Sequence, residues 1–231
     1  MQSNRSGATA GHQAPATDGS GPGHDKDFWT TENRKYTDPH FRLLKCARLV
    51  NRLAGHTERV LLDVGCGPAT LAQFVRPSIH YFGIDIAIPA PAPNLRERDL
   101  RATPIEFAGL RFDLVVAQGV FEYLGTVQEQ KFTEVHDLLL PAGRFVVTYV
   151  NFAHRRPYYY WPYNNVQSIE GFVAGLSRVF SVDRVVPTAH NWGHSEPRRP
   201  LVMAANRYFD LRVPFITPRL AVEYFVVCSR R

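Results

Sequence analysis

Val60-Leu61-Leu62-Asp63-Val64-Gly65-Cys66-Gly67-Pro68-Ala69-Thr70-Leu71 is the stretch on which the reading of this 231-residue chain turns. A short apolar run ends in an acid, passes through two glycines and reopens as a segment with helical spacing. Such a run reads as a buried strand, and the glycines let the backbone turn sharply and approach a ligand at the strand's carboxyl end. Eighteen residues beyond Gly67, Tyr81-Phe82-Gly83-Ile84-Asp85 closes the next apolar run with a second acid. In nucleotide-binding α/β folds a carboxylate at about that distance accepts the hydroxyl protons of a ribose. The two strand ends together predict a nucleoside site, with Asp85 and the following Ile86 against the ligand.

Outward from this stretch, short apolar runs alternate with helical ones. Strands are expected at Val60–Val64, His80–Ile84, Asn94–Glu97, Phe112–Ala117, Arg144–Tyr149, Ser181–Val186 and Val222–Cys228. Helices are expected near Ala69–Phe74, at Thr126–Leu139 with a Thr126/Glu129 capping box and a stop at Pro141 and Gly143, and at Ser168–Val179. An earlier amphipathic helix has Asp38 as N-cap, Pro39 at its first position, Leu43, Leu44, Ala47, Val50 and Leu53 on one face, and Gly55 as its end. Strands buried on both faces and joined by helical crossovers predict a doubly wound, mostly parallel sheet, Rossmann-like in plan. Residues 1–24 are rich in Gly, Ser, Ala, Thr and Pro and lack Leu, Ile, Val and Phe, which reads as a disordered tail. Residues 25–231 are expected to form one domain with an N-terminal helical cap and C-terminal additions.

The turn itself narrows the ligand. Thr70 stands where a dinucleotide fold has its third glycine, so no pyrophosphate is implied. Asp63 would repel a phosphate and suits a cationic amino-acid moiety. No phosphate-binding G-x-x-x-x-G-K-[ST] loop occurs in the chain.

At this point the chain resembles the class I S-adenosylmethionine-dependent methyltransferases. Asp63-Val64-Gly65-Cys66-Gly67 is similar to the family's first motif, whose backbone approaches the methionine part of the cofactor. Asp85 matches the ribose-binding acid, and Asp99-Leu100 resembles the pair that contacts adenine. The segment Phe112 to Leu124, with Ala117 and Gln118 at its turn, resembles the end of the fourth strand, which passes under the methionine tail. Leu140-Pro141-Ala142-Gly143-Arg144-Phe145 looks like the turn into the fifth strand. The resemblance implies S-adenosylmethionine as cofactor and a seven-stranded sheet whose last strand, Val222–Cys228, is antiparallel. The family's Asn/Asp-Pro-Pro-Tyr motif of adenine N-methylation is missing, as is the Pro-Cys nucleophile of RNA cytosine C5 methylation.

The acceptor side is expected in the later loops. Tyr123, Tyr158, Tyr159 and Trp161 are candidate acceptor contacts, since aromatic rings can stack a planar group. His190 and His194 are candidate general bases for a hydroxyl acceptor, because they titrate near neutral pH. No metal site is expected, for the loop histidines lack a third ligand at reliable spacing and Cys46, Cys66 and Cys228 are widely separated. The same three cysteines are expected to be reduced thiols.

Composition bounds the function. With 45% hydrophobic and 21% charged residues, the chain can bury a core and is neither disordered nor a coiled coil. No apolar run approaches the roughly 20 residues that span a bilayer, so membrane insertion is not expected and the cytoplasm is the default address. From Val150 onward 11 Arg face 5 acids, whereas residues 1–149 balance, so the net charge of +6 sits in the last third. That field leaves RNA as an alternative acceptor, and a cofactor-binding protein that has lost its acceptor site is the non-enzyme alternative. A small molecule is favoured, because the additions to the core fold are too short for a nucleic-acid-binding domain.

Overall fold

The computed structural model describes residues 25–33, 37, 41–107, 109–152, 165–190 and 221–231, with residues 41, 189 and 190 as backbone only. In chain order the elements are α1 (Lys26–Glu32), α2 (Phe41–Ala54), β1 (Arg59–Val64), β2 (Ile79–Asp85), β3 (Leu95–Glu97), β4 (Phe112–Ala117), α3 (Gln128–Leu138), β5 (Leu139–Val150), α4 (Ile169–Leu176), β6 (Phe180–His190) and β7 (Ala221–Arg230). The strands form one seven-stranded sheet in the order β3-β2-β1-β4-β5-β7-β6. Strands β1 to β5 pair parallel, and β7 lies antiparallel between β5 and β6. This is the expected doubly wound sheet with its last strand reversed.

Both faces of the sheet are covered, which explains why its strands read as continuous apolar runs. On one face Phe132 of α3 and Phe172 of α4 pack with Phe121, Phe145 and Tyr149, with Phe121 stacked on Phe132 at 5.1 Å and Tyr149 on Phe172 at 3.9 Å. On the other, Leu43, Cys46, Ala47 and Val50 of α2 pack on Leu61, Leu114, Val146 and Val227. At about 25 cal/mol per Å² of apolar surface removed from water, these two layers are the main source of stability. Helix α2 ends at Gly55, whose φ of +66° breaks the helix as expected. Its proposed cap at Asp38 and Pro39 lies outside the described residues, as does the tail 1–24.

Several boundaries differ from the sequence reading, each for a local reason. The segment after the glycines is a 3₁₀ turn, Thr70–Gln73, and not an α-helix at Ala69–Phe74. Pro68 precedes Ala69, which is held at φ +57° while its N–H bonds to the Cys66 carbonyl at 2.9 Å. Thr126 does not cap α3: Gly125–Val127 forms another 3₁₀ turn, and the helix begins at Gln128 without a side-chain cap. Nor do Pro141 and Gly143 stop that helix. It ends at Leu138, and β5 starts at once, pairing Leu139 with Phe112 before an irregularity brings Arg144 opposite Leu114. That bulge absorbs the Pro-Ala-Gly segment, which a regular ladder would reject. Ser168 caps α4 by accepting the Gly171 N–H at 3.1 Å, and this helix ends at Leu176, short of the expected Val179.

Helix α1 was not foreseen. Asp25 caps it by accepting the Phe28 N–H at 2.9 Å, and Lys26 makes an ion pair with Glu97 at the end of β3. The helix thereby lies across the carboxyl edge of the sheet. All three cysteines are free and buried. Among the described residues, no helix is long and apolar enough to cross a membrane.

Candidate active site

Register brings the chemistry to one edge. Val64 pairs with Ile84 and with Ala117, and Ala117 with Val147, so β1, β2, β4 and β5 end side by side. Because β7 runs the other way, its first residues reach the same edge, with Glu223 opposite Val150. A cavity opens there, lined at one end by Asp63, Gly65, Cys66, Gly67, Asp85, Ile86, Asp99 and Leu100 and at the other by Gln118, Glu122, Tyr123, Val150 and Glu223. Doubly wound sheets hold their ligands in this position.

The glycine turn is held against β2. The Gly65 and Cys66 N–H groups both donate to the Ile84 carbonyl, at 2.7 and 3.1 Å. Gly65 has φ +75°, and a Cβ there would stand 2.2 Å from Val120 Cγ2, so only glycine fits. Asp85 receives three donors: the Gly67 N–H on Oδ2 at 2.8 Å, and the Ala87 N–H at 2.9 Å and Asn33 Nδ2 at 3.2 Å on Oδ1. Burial raises the Asp85 carboxyl above its ordinary pKa, while these three bonds and the Ile86 N–H oppose the rise. Asp63 accepts the Tyr81 hydroxyl proton at 2.7 Å. Its carboxyl is pushed up to about 7, chiefly by burial, with Tyr81 opposing and Asp85 adding repulsion.

Asp99 is clasped by Arg101, with Nε on Oδ1 at 3.0 Å and Nη2 on Oδ2 at 2.8 Å. The fork holds the Asp99 carboxyl below its usual range, so it is ionised. Leu100 beside it is buried. Ala117 is fully enclosed in the core and does not line the cavity; it supports Gln118, whose Oε1 is buried without a hydrogen-bond partner.

At the other end of the cavity a 3₁₀ turn, Phe121–Tyr123, points Phe121 into the core and turns Glu122 into an enclosed position. Glu122 Oε1 accepts the Val150 N–H at 3.0 Å, and Oε2 has no partner. Its carboxyl is pushed up to about 8 by burial first and Glu223 second, with Arg42 opposing. Arg42 of α2 makes a 2.9 Å ion pair with Glu223, and Thr188 of β6 donates to the Glu223 carbonyl at 3.0 Å. The Tyr123 ring meets Trp29 of α1 edge-on at 5.1 Å, so α1 roofs the cavity between its two ends.

Of the candidate residues, the structure therefore gathers Asp63, Gly65, Cys66, Gly67, Asp85, Ile86, Asp99, Leu100, Gln118 and Tyr123 around one cavity. Tyr158, Tyr159, Trp161 and His194 lie outside the described residues. His190 ends β6 opposite Ala221, and only its backbone is described. Trp29, Asn33, Arg42, Glu122 and Glu223 were missed. Two of these had a signal: Glu122 and Glu223 are acids inside the apolar runs Val120–Leu124 and Val222–Cys228, where a charge is seldom buried without a task.

The residues present fit the cofactor that the motifs imply. Carboxylates stand where a ribose and a cationic amino acid would need acceptors, and the turn excludes side chains from the backbone's approach. The description "methyltransferase domain" belongs to the family that matches residues 39–183 of the chain. The protein belongs to the class I S-adenosylmethionine-dependent methyltransferases and is an enzyme of that family. Its fold is similar to that of a TehB-like methyltransferase from Corynebacterium glutamicum, at 16% identity and TM-score 0.57 over 87% of this chain and 99% of that one. It is also similar to a chain in the complex of the Haloferax volcanii Trm112 methyltransferase activator with a methyltransferase, at 16% identity, TM-score 0.62 and coverage of 89% and 96%. A third likeness is to the N-methyltransferase NodS from Bradyrhizobium japonicum, in complex with S-adenosylhomocysteine, at 14% identity, TM-score 0.57 and coverage of 87% and 98%. No curated protein matches the chain.

Proposed function

We propose that the enzyme methylates a small molecule, which enters the end of the cavity lined by Gln118, Glu122, Tyr123, Val150 and Glu223. The single observation behind this reading is that one cavity is lined both by the glycine turn with Asp85, Asp99 and Leu100 and by Gln118, Glu122, Tyr123, Val150 and Glu223. In the reading, the glycine turn and Asp63 face the methionine part, Asp85 the ribose, and Asp99 with Leu100 the adenine. The cofactor supplies an activated methyl on a positively charged sulfur with a neutral leaving group. The protein's work is then alignment: the turn, the ribose acid and the roof hold both partners so that acceptor, methyl and sulfur lie in line. Trp29 and Tyr123 exclude water from the junction.

The hydroxyl acceptor with His190 or His194 as base rests on side chains outside the described set, so its support is the sequence alone. Changing each to Ala is its test: a fall of about 10²-fold in kcat on a hydroxyl acceptor, with cofactor affinity unchanged, would carry it.

The reading as a whole is tested by calorimetry and by a screen with labelled cofactor. S-adenosylmethionine and S-adenosylhomocysteine should bind and NAD should not, and label should pass to small acceptors. Micromolar NAD binding would refute the cofactor assignment. Label passing to RNA alone, with affinity falling steeply as salt is added, would replace the small-molecule acceptor with RNA.

A further inference from the structure

The cavity is acidic on a basic chain. Its lining holds Asp63, Asp85, Asp99, Glu122 and Glu223 against Arg42, Arg98 and Arg101, although the chain carries a net charge of +6. Arg101 neutralises Asp99, and Arg42 neutralises Glu223. Asp63 and Asp85 lie at the cofactor end. Glu122 is thus the acid of the acceptor end that has no ion pair among the described residues, and its Oε2 is buried with no donor. A second buried acceptor atom without a donor, Gln118 Oε1, lines the same cavity. A hydroxyl acceptor brings a single donor, whereas an amine brings two and an ammonium three.

We propose that the acceptor is an amine and that Glu122 is the catalytic residue that binds it and takes its proton. This rests on the small-molecule reading above and names its substrate class. In the resting enzyme the Glu122 carboxyl is largely neutral at pH 7, since its pKa is pushed up to about 8. The groups that face it are Glu223 of β7, Arg42 of α2 and the Tyr149 phenol of β5. When an ammonium ion enters, the carboxyl gives its own proton to solvent and the cation pairs with the carboxylate. Transfer of a proton from nitrogen to Oε2 then restores the neutral acid and frees the nitrogen lone pair. The lone pair forms the N–C bond to the cofactor's methyl while the C–S bond breaks with its electrons left on sulfur. The positive charge passes from sulfur to nitrogen, the methylated ammonium leaves, and Glu122 is again protonated. One proton is released to solvent per ammonium bound, and none is left over at the end of the cycle.

The Arg42–Glu223 pair positions this acid. Glu223 raises the Glu122 pKa towards the working range, and Arg42 keeps it from rising further. General acid–base groups act best when their pKa lies near the working pH.

The test uses the whole chain saturated with S-adenosylhomocysteine and titrated at pH 7 with benzylammonium chloride or benzyl alcohol. Each titration is run in phosphate and in HEPES, which carries no primary ammonium and has a different ionisation enthalpy. Benzylammonium should bind at least tenfold more tightly than the alcohol, with close to one proton released on binding to the unmodified enzyme. In Glu122→Gln, which keeps an oxygen for the Val150 N–H, proton release should vanish and benzylammonium affinity should fall at least tenfold. The proton count on the unmodified enzyme stands even if that variant folds poorly. Intact S-adenosylhomocysteine binding together with equal affinity for amine and alcohol and no proton release overturns the amine assignment alone. Failure to bind S-adenosylhomocysteine overturns the cofactor reading, and this proposal with it.

Discussion

Replacing Asp85 by alanine separates a ligand-binding role from a purely structural one. A carboxylate has about four acceptor positions, and in Asp85 the Gly67, Ala87 and Asn33 donors occupy three. The Ile86 N–H also bears on this carboxylate, so a ribose hydroxyl gains its place where Asn33 yields its 3.2 Å bond, the longest of the three. One hydrogen bond to a charged acceptor contributes about 1.5–3 kcal/mol, so Asp85→Ala should weaken S-adenosylhomocysteine binding roughly 10- to 150-fold. The change also orphans the Gly67 and Ala87 N–H groups and so lowers the melting temperature. Calorimetry is therefore done well below the transition of the variant. Asn33→Ala is the control: it frees an acceptor position on Oδ1, and its affinity should stay within about threefold of the parent, well under the tenfold that one lost bond would give. A folded Asp85→Ala protein that binds like the parent, or an Asn33→Ala protein that loses as much as Asp85→Ala, would refute the assignment and leave Asp85 as a clamp for the glycine turn.

The other expectations are simpler. Gly65→Ala places a Cβ against Val120 at a positive φ, and should lower stability by about 1–3 kcal/mol or more; a denaturation midpoint unchanged from the parent would contradict the tight approach of the two loops. The Glu122 acid has a folded pKa of about 8 against an ordinary 4.5, so the folded state holds the extra proton and stability falls as pH rises through that window. Glu122→Gln lacks this titration, so its melting temperature relative to the parent should increase from pH 5 to pH 9, and a constant difference would sink the reasoning. Deleting residues 1–24, which lack Leu, Ile, Val and Phe, should leave the melting temperature unchanged within error; a drop of several degrees would show that the segment docks on the fold.

Strands were the most legible part of the chain, because burial on both faces demands unbroken runs of branched apolar residues, and Phe112–Ala117 came out with its boundaries unchanged. Helix ends were less so. Thr126 and Glu129 have the spacing of a capping box, but Gly125 and its φ of +60° start a tight turn that moves the helix two residues on. Pro141 and Gly143 read as breakers, and a bulge can hold them inside a strand only because a parallel partner is present, which local sequence does not reveal. Helix α1, at seven residues, is too short for a period to show. In the site, Asp63 and Asp85 were legible from strand ends and spacing. Asn33 and Arg42 act by reaching across to Asp85 and Glu223 from helices far away in sequence. Nothing in their own neighbourhood marks them.

The reversed strand sets an order of events. Arg42 and Glu223 are 181 positions apart, and Glu223 reaches the carboxyl edge only because β7 threads between β5 and β6. The cavity wall at the glycine turn and Asp85 can assemble from β1, β2 and β4 over shorter separations, while the Glu223 wall must await a strand that follows β6. Contacts this distant are formed late and slowly in folding. A chain whose last strand is not yet threaded would therefore lack the Glu223 wall of the cavity, and Arg42 would be left without the carboxylate it pairs with.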